Sequence, residues 1–520
     1  MDALVILIPL LPFAAAILIG IGILSGVLRG EASENKTVII ATWSMSMSFL
    51  LALTLLIADL LKKNTGSVFL GNWLCSDTLN IQINFISTGF GVVLATLFAL
   101  LLVVIMRFSI NYMHREIGFH RFFFILSLFA SSMLLLVLSG NAVGTFFGWE
   151  IAGLCSYLLI AYAYHRPIAV INATRVFVTN RIGDALFILG IAFTYFWVDS
   201  INWDDLNAIP SQLDKSEATA IAMCFAIAAF AKSAQLPFTP WLARALEGPT
   251  PSSAIFYGAV MVHAGVYLVC LLEPLFEQAP LAMAMLVVVG GITAAYSFMV
   301  GLTQTDIKSS LVFATSGQLG LMFLACGLGF WQLASWHLCS HAIVRCYLFL
   351  TAPSLMHNLL GNPIKPIVPV ISKIRWAYIS SLQRFWLDQI SDWTLIRPIN
   401  RLAHDLSYFD DHVIDYIMGS PAPAILTISS IAELEEKRLG SQLDNDIDGF
   451  SHGTGLAGKL TEWFAGITHW FEDRFVLRGV NKDAIMYGRK LGHAANKFEQ
   501  LILRPRYLVL FVLIILLIVF

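Results

Sequence analysis

A helix that crosses a bilayer needs about 20 consecutive apolar residues. This chain of 520 residues supplies such runs twelve times. They lie near 4–28, 37–61, 88–106, 122–139, 142–164, 171–198, 217–241, 251–275, 280–302, 309–329, 332–357 and 501–520. In hydrocarbon every backbone amide must find its partner inside its own segment or in a closed barrel, so runs of this length are helices. The expected fold class is an all-α polytopic membrane protein of about 12 transmembrane helices, with an ion-conducting core over 1–358. Composition agrees: 13% of residues are charged, against about 25% in soluble domains, and the mean hydropathy is +0.75. Between the second and third runs, Ser67 to Ile86 alternates weakly around Gly71-Asn72 and Ser76-Asp77, which suggests a hairpin.

The charged residues are unevenly placed, with 32 in 1–358 and 34 in 359–520. The stretch 359–500 has no spanning run. It carries Pro363, Pro366 and Pro369, an amphipathic portion from Arg384 to Tyr408, and an acidic portion from Glu433 to Asp448. It reads as lateral helices at the membrane surface that dock a partner, with a disordered loop near Gly440 to Gly455 and a last transmembrane helix over 501–520. A separately folded soluble domain is the alternative. Short loops set orientation through Lys and Arg. Arg29, Lys36, Arg107, Arg115, Arg121, Arg166, Arg175, Arg244 and Lys308 fall on one side, and Lys62, Lys63 and Lys215 on the other. The basic side is expected to be cytoplasmic, which places the N-terminus outside. Met1-Asp2 leads straight into an apolar run with no basic n-region, so the first helix reads as retained.

Several classes are excluded. A net charge of -2 disfavours nucleic acid as a partner. The seven cysteines form no CxxC pair, and no nucleotide-binding glycine motif follows a candidate strand, so no cofactor is expected in this chain and no enzyme activity of its own.

Ionisable residues inside spanning helices cost about 2.5 to 3.5 kcal/mol at mid-bilayer even on lenient scales, and usually mark a pathway. Here they are Glu150, Arg181 with Asp184, Lys232, His263, His337, His341 and Arg345. Pro237, a few residues beyond Lys232, removes a backbone donor and breaks the helix, which frees carbonyls and makes room for water. Glu150 and Lys232 are expected to pair, either as a switch that moves a proton or as a static brace. Arg181 and Asp184, three residues apart, suit a local salt bridge. His337, His341 and Arg345 follow one another every fourth residue along one helical stripe. Two imidazoles in a dry stripe suit proton hopping. A metal is not expected, because the HxxxH pair lacks the HExxH glutamate and a third ligand.

Taken together, Trp149 to Leu159, Asn180 to Asp184, Ala231 to Leu236 and Glu247-Gly248-Pro249-Thr250-Pro251-Ser252-Ser253-Ala254 resemble the antiporter-type subunits of respiratory complex I and of Mrp sodium/proton antiporters. Thr305 to Leu311 and the stripe from His337 to Arg345 extend the match over about residues 85 to 358. Phe385 to Asp415 resembles the later part of the complex I L-type subunit. The resemblance implies two inverted five-helix repeats, each with a broken helix, and a first ion-pair switch at Glu150 and Lys232. Three departures stand out. Tyr257 stands where the L-type subunit has a histidine, with His263 further on; Arg345 stands where a lysine is usual; and the second repeat looks truncated after His357.

Those departures resemble the membrane subunit of DAB-type inorganic-carbon accumulation systems, as does Ser253 to Gly258 followed by His263-Ala264-Gly265-Val266-Tyr267. That likeness implies proton flow along Glu150, Lys232, His263, His337 and His341, with Arg181, Asp184 and Arg345 as supporting charges. The flow would be coupled to a large cytoplasmic carbonic-anhydrase-like partner whose zinc lies outside this chain, in a bacterial inner membrane. The alternatives are a proton-pumping L-type or Mrp-type subunit, and a nonconducting scaffold. Imidazoles favour H+ over Na+.

Overall fold

The computed structural model describes residues 2–63, 66–75, 80–208, 213–304, 306–352 and 374–410. The chain divides after Ser391 into two units. In the first, α1 (Asp2–Leu24) and α2 (Glu34–Leu60) lead into a hairpin of β1 (Ser67–Cys75) and β2 (Asn80–Ile86), as the alternation suggested. The strands pair antiparallel, Ser67 opposite Ile86 and Cys75 opposite Asn80. Then follow α3 (Phe90–Tyr112), α4 (Phe119–Leu138), α5 (Ala142–Ile160), α6 (Pro167–Val198) and the short α7 (Trp203–Ala208). Consecutive long helices run up and down, with α1 against α2 and α4, α4 against α5, and α6 against α8 (Lys215–Lys232).

The two ends of the bundle differ in chemistry. At the hairpin end, Asn84 Nδ2 donates to Asn202 Oδ1 (3.1 Å) and Asn141 Nδ2 donates to Gln82 O (2.6 Å), which ties the hairpin to the loops before α5 and α7. At the other end the charged residues gather in pairs: His114 with Glu34 at 2.7 Å, Arg115 with Glu31 at 2.9 Å, and Arg166 with Glu247 at 3.1 Å. Between the ends the packing is aromatic and aliphatic, with Trp149, Phe187 and Phe225 fully buried in edge-on contact.

Two of the spanning runs are interrupted, one where Pro237 announces a break and one that reads as a plain span. The run over 217–241 is helical only to Lys232, where α8 stops. The break therefore begins at Ser233, ahead of Pro237, and Ala234 takes a left-handed φ of 49°. The chain resumes as α9 (Pro240–Arg244) and a tight turn over Ala245–Glu247. The run over 251–275 is α10 (Thr250–Ser253), a widened turn in which Val260 N donates to Ile255 O (3.1 Å), a tight turn over Met261–His263, and α11 (Ala264–Leu271). After α12 (Glu273–Glu277) come α13 (Pro280–Gly301), α14 (Ile307–Gly327) and α15 (Trp331–Thr351).

Nine helices among the described residues are long and apolar enough to cross a membrane. Eleven of the twelve expected runs fall on helices of the structure as far as residue 352, and the run over 501–520 lies outside the described residues, as do Glu433 to Asp448 and Gly440 to Gly455. α8 and α15 are not among the nine: α8 carries Lys215, Glu217 and Lys232, and the stripe of His337, His341 and Arg345 lowers the hydropathy of α15.

The first unit ends with α16 (Arg375–Leu382), which lies against α13, and α17 (Leu387–Ser391), which lies against α9; between them Arg384 sits over Phe313 of α14. In the second unit the described residues form a widened turn over Asp392–Ile396 and α18 (Arg397–Phe409), which exposes Ile399, Leu402 and Leu406 along one stripe. The amphipathic character expected of this stretch is present as a helix face.

Gly265 shows how closely the interrupted helices approach one another. A Cβ there would stand 2.3 Å from Ser233 Oγ and 2.4 Å from Ala229 O, and a backbone oxygen cannot swing aside. Gly265→Val is expected to cost at least about 1–3 kcal/mol of overpacking, seen as a lower melting temperature of the purified protein in detergent.

Candidate functional site

The residues singled out by charge gather in two groups beside the interruptions. In the first, Glu150 projects from α5 and Arg181 and Asp184 from one face of α6. Arg181 Nη1 donates to Glu150 Oε2, and Arg181 Nη2 lies 2.8 Å from Asp184 Oδ2. Trp149 Nε1 donates to Asp184 Oδ1 at 2.7 Å. Lys232, 1% exposed, donates from Nζ to Trp149 O at 2.9 Å and lies 4.9 Å from the centre of the Trp149 ring. A Cβ on Gly153 would stand 3.1 Å from Arg181 Nη2 and 3.5 Å from Lys232 Nζ, so both cations border the space which that glycine leaves open.

The direct Glu150–Lys232 pair expected from sequence is replaced by a chain of contacts. The fork of Arg181 bridges Glu150 and Asp184, a geometry that a planar guanidinium suits better than an ammonium. Lys232 reaches the same group through Trp149. The i,i+3 bridge expected between Arg181 and Asp184 is present. With Lys232 protonated the four side chains balance at two positive and two negative charges. Glu150 Oε1 and Arg181 Nε are buried and find no hydrogen-bond partner among the described residues.

The second group lies where α11 begins. His263 Nε2 and His341 Nδ1 are 2.8 Å apart, and Arg345 Nε donates to His341 Nε2 at 3.2 Å. A guanidinium only donates, so His341, when neutral, carries its hydrogen on Nδ1 and donates it to His263 Nε2. That leaves the hydrogen of a neutral His263 on Nδ1, a buried atom without a hydrogen-bond partner among the described residues. His337 stands one turn away, with 6.1 Å between its ring and that of His341, and its Nε2 meets Gln318 Oε1 at 2.9 Å. Tyr257 donates to Leu242 O (2.8 Å) and is fully buried.

Ser233 links the two groups. It follows Lys232, and its Oγ donates at 2.7 Å to the carbonyl of Val262, the residue before His263. The other backbone groups freed by the break are also taken: Trp241 Nε1 donates to Ala231 O (2.8 Å), Ser316 Oγ to Ala234 O (3.1 Å), and Leu236 N to Thr293 Oγ1 (3.0 Å). Sequence reading missed Trp149, Ser233, Gln318, Thr293, Ser316 and Trp241 as members of this arrangement. Gln318, lying within a spanning run, was the legible signal; the others look like ordinary helix residues.

The fold and the site define a polytopic helical membrane protein with two interrupted helices and ionisable side chains buried beside them. The family profile described as "NADH:quinone oxidoreductase/Mrp antiporter, TM" matches residues 139–363, and that of "NADH-Ubiquinone oxidoreductase (complex I), chain 5 N-terminus" matches 73–123. Together they cover more than half of the chain, which belongs to this complex I subunit 5/L-type, Mrp antiporter-like family. Among curated relatives, NADH-quinone oxidoreductase subunit L of Rhodobacter capsulatus is 39% identical over 63% of this chain and 48% of its own length. The chloroplastic NAD(P)H-quinone oxidoreductase subunit 5 of Zygnema circumcarinatum is 36% identical over 70% of this chain and 52% of its own. The chain thus spans about half the length of the curated relatives it matches. Among solved structures, a chain of the Mrp complex from Dietzia sp. is 27% identical with a TM-score of 0.57, covering 65% of this chain and 37% of that one. A chain of an archaeal membrane-bound sulfane sulfur reductase, 16% identical, shares the fold with a TM-score of 0.60 over 98% of this chain and 99% of that one.

Proposed function

We propose that this chain is a proton-conducting membrane subunit of a complex I-like or Mrp-like assembly, acting through the interrupted helices rather than as an enzyme in its own right. The observation that carries the reading is the grouping of Glu150, Arg181, Asp184 and Lys232 beside one interruption and His263, His341 and Arg345 beside the other, joined through Ser233 and Val262. Buried ionisable side chains beside interrupted helices are how membrane proteins hold and pass ions. The relatives named as quinone oxidoreductase subunits 5 and L favour this respiratory reading over the inorganic-carbon one expected from sequence. The excess of arginine at the end opposite the hairpin supports that end facing the cytoplasm of a bacterial inner membrane, with the N-terminus outside.

The inorganic-carbon reading retains one specific support, the replacement of an expected histidine by Tyr257, whose hydroxyl is engaged by Leu242 O. Metal analysis of the native complex separates the two: zinc in a copurifying soluble chain favours carbon accumulation, and a full set of quinone-reducing subunits favours respiration.

The proton pathway is tested by reconstituting the native complex in liposomes and following acidification with a pH-sensitive dye. His341→Ala removes the ring that joins Arg345 to His263 and is expected to lower flux about a hundredfold, the low end of the range for a lost proton-transfer group. Undiminished flux from the assembled variant would reject the pathway.

A further inference from the structure

Arg244 of α9 and Arg384, just ahead of α17, share one carboxylate: Asp388 Oδ2 lies 3.2 Å from Arg244 Nη2 and 3.3 Å from Arg384 Nη1. Asp388 is mostly buried, with 17% of its side chain exposed. The segment that carries it is seated on α13 and α14. Arg384 lies 5.2 Å from the centre of the Phe313 ring, Tyr296 donates to Arg384 O (3.3 Å), Phe385 meets Tyr296 edge-on, and Ser381 donates to Met299 O (2.7 Å). Arg384, Phe385 and Trp386 all hold positive φ between 51° and 53°. Each is a conformation that side chains other than glycine adopt only when the surroundings impose it.

The other arm of the bridge leads to the interruption. Arg244 lies three residues beyond Trp241, whose indole occupies the carbonyl of Ala231 next to Lys232. α9 is only five residues long and follows an irregular stretch, so its own backbone bonds fix its position weakly. From α13, Thr293 receives the Leu236 amide, and Tyr296, on the same helix, holds the Arg384 backbone. The segment ending at Ser391 and the break beside Lys232 therefore rest on the same two supports.

We propose that Asp388 is a positioning residue for the ion site: by clamping Arg244 it holds α9 so that Trp241 closes the carbonyl beside Lys232. The inference rests on the proton-conduction reading. Without the clamp, Ala231 O, on the residue before Lys232, opens to water, although Asp388 touches none of the conducting side chains.

The test uses the native complex, with proton flux in liposomes and hydrogen–deuterium exchange of peptides covering 228–245. Asp388→Asn is expected to lower flux about fivefold and to raise exchange in those peptides while leaving peptides of α4 and α5 unchanged. Asp388→Glu should restore both, and so should the exchange of partners in Arg244→Asp with Asp388→Arg. If Asp388→Asn leaves exchange over 228–245 and flux at wild-type levels, or if exchange rises throughout the protein and Asp388→Glu fails to rescue, the proposal is overturned. Should Lys232→Ala also conduct normally, the conduction reading falls as well; if Lys232→Ala is inactive while Asp388→Asn is normal, only the positioning role falls.

Discussion

Lys232→Ala is expected to reduce proton flux through the assembled complex to about a hundredth or less, the range seen when a positioned proton-transfer group is removed. The side chain is buried, donates one hydrogen bond to Trp149 O and lies against the indole ring, and it is held at the last turn of α8 where the helix stops. Alanine fits the helix, and Arg181 still pairs with both Glu150 and Asp184, so the fold should survive. The outcome to look for is normal assembly, judged by copurification, together with lost acidification. Normal flux would mean that Lys232 is only a brace.

Glu150→Gln is expected to have an effect of similar size by a different route. Glutamine keeps the shape but leaves Arg181 with Asp184 alone, so with Lys232 protonated the group carries one excess positive charge. The lysine is then disfavoured as a cation by its neighbours, and flux should fall at least about tenfold. Because Arg181 and Glu150 are partly exposed, the loss of folding stability should stay near or below the cost of breaking a buried pair, about 3–5 kcal/mol. Replacing Arg181 by glutamine in the same chain restores charge neutrality. Partial recovery of flux in Glu150→Gln with Arg181→Gln would show that charge balance, rather than the carboxylate itself, was missing. Flux in Glu150→Gln equal to wild type would remove this group from the pathway.

Much of the fold was legible in the sequence because bilayer thickness leaves so little choice: a run such as 280–302 can only be α13. The same argument exposed the buried charges, since hydrocarbon makes each of them conspicuous. Sequence could not show who meets whom. Glu150 and Lys232 read as partners because both are isolated in apolar helices, whereas Arg181, which the spacing assigns to Asp184 on its own helix, also reaches across to Glu150 on the facing one. Trp149 was quoted as part of a motif, but its double role, indole to Asp184 and carbonyl to Lys232, depends on a distance between helices that spacing does not encode. His263 and His341 were each named, yet their contact arises from the widened turn ahead of α11, a departure from regular helix that Val260 and Ile255 do not announce. Pro237 pointed to the correct neighbourhood of the break and missed its first residue, because Ser233 and Ala234 leave the helix before the proline is reached.

The arginine at the end of the imidazole row has a consequence for how such a row would operate. Arg345 occupies the lone pair of His341, and in the neutral His341–His263 pair both ring hydrogens then point away from it, ending at the Nδ1–H of His263, which meets no acceptor among the described residues. A chain of rings oriented in this way would be a wire with a closed entrance. Its one accepting nitrogen, His341 Nε2, is covered by a guanidinium that cannot yield a proton, so a proton would enter only once Arg345 moved aside, and one passage would leave both rings facing backwards until they turned over. Turnover would then be paced by that resetting and not by the hop itself, with the guanidinium serving as the latch on the entrance.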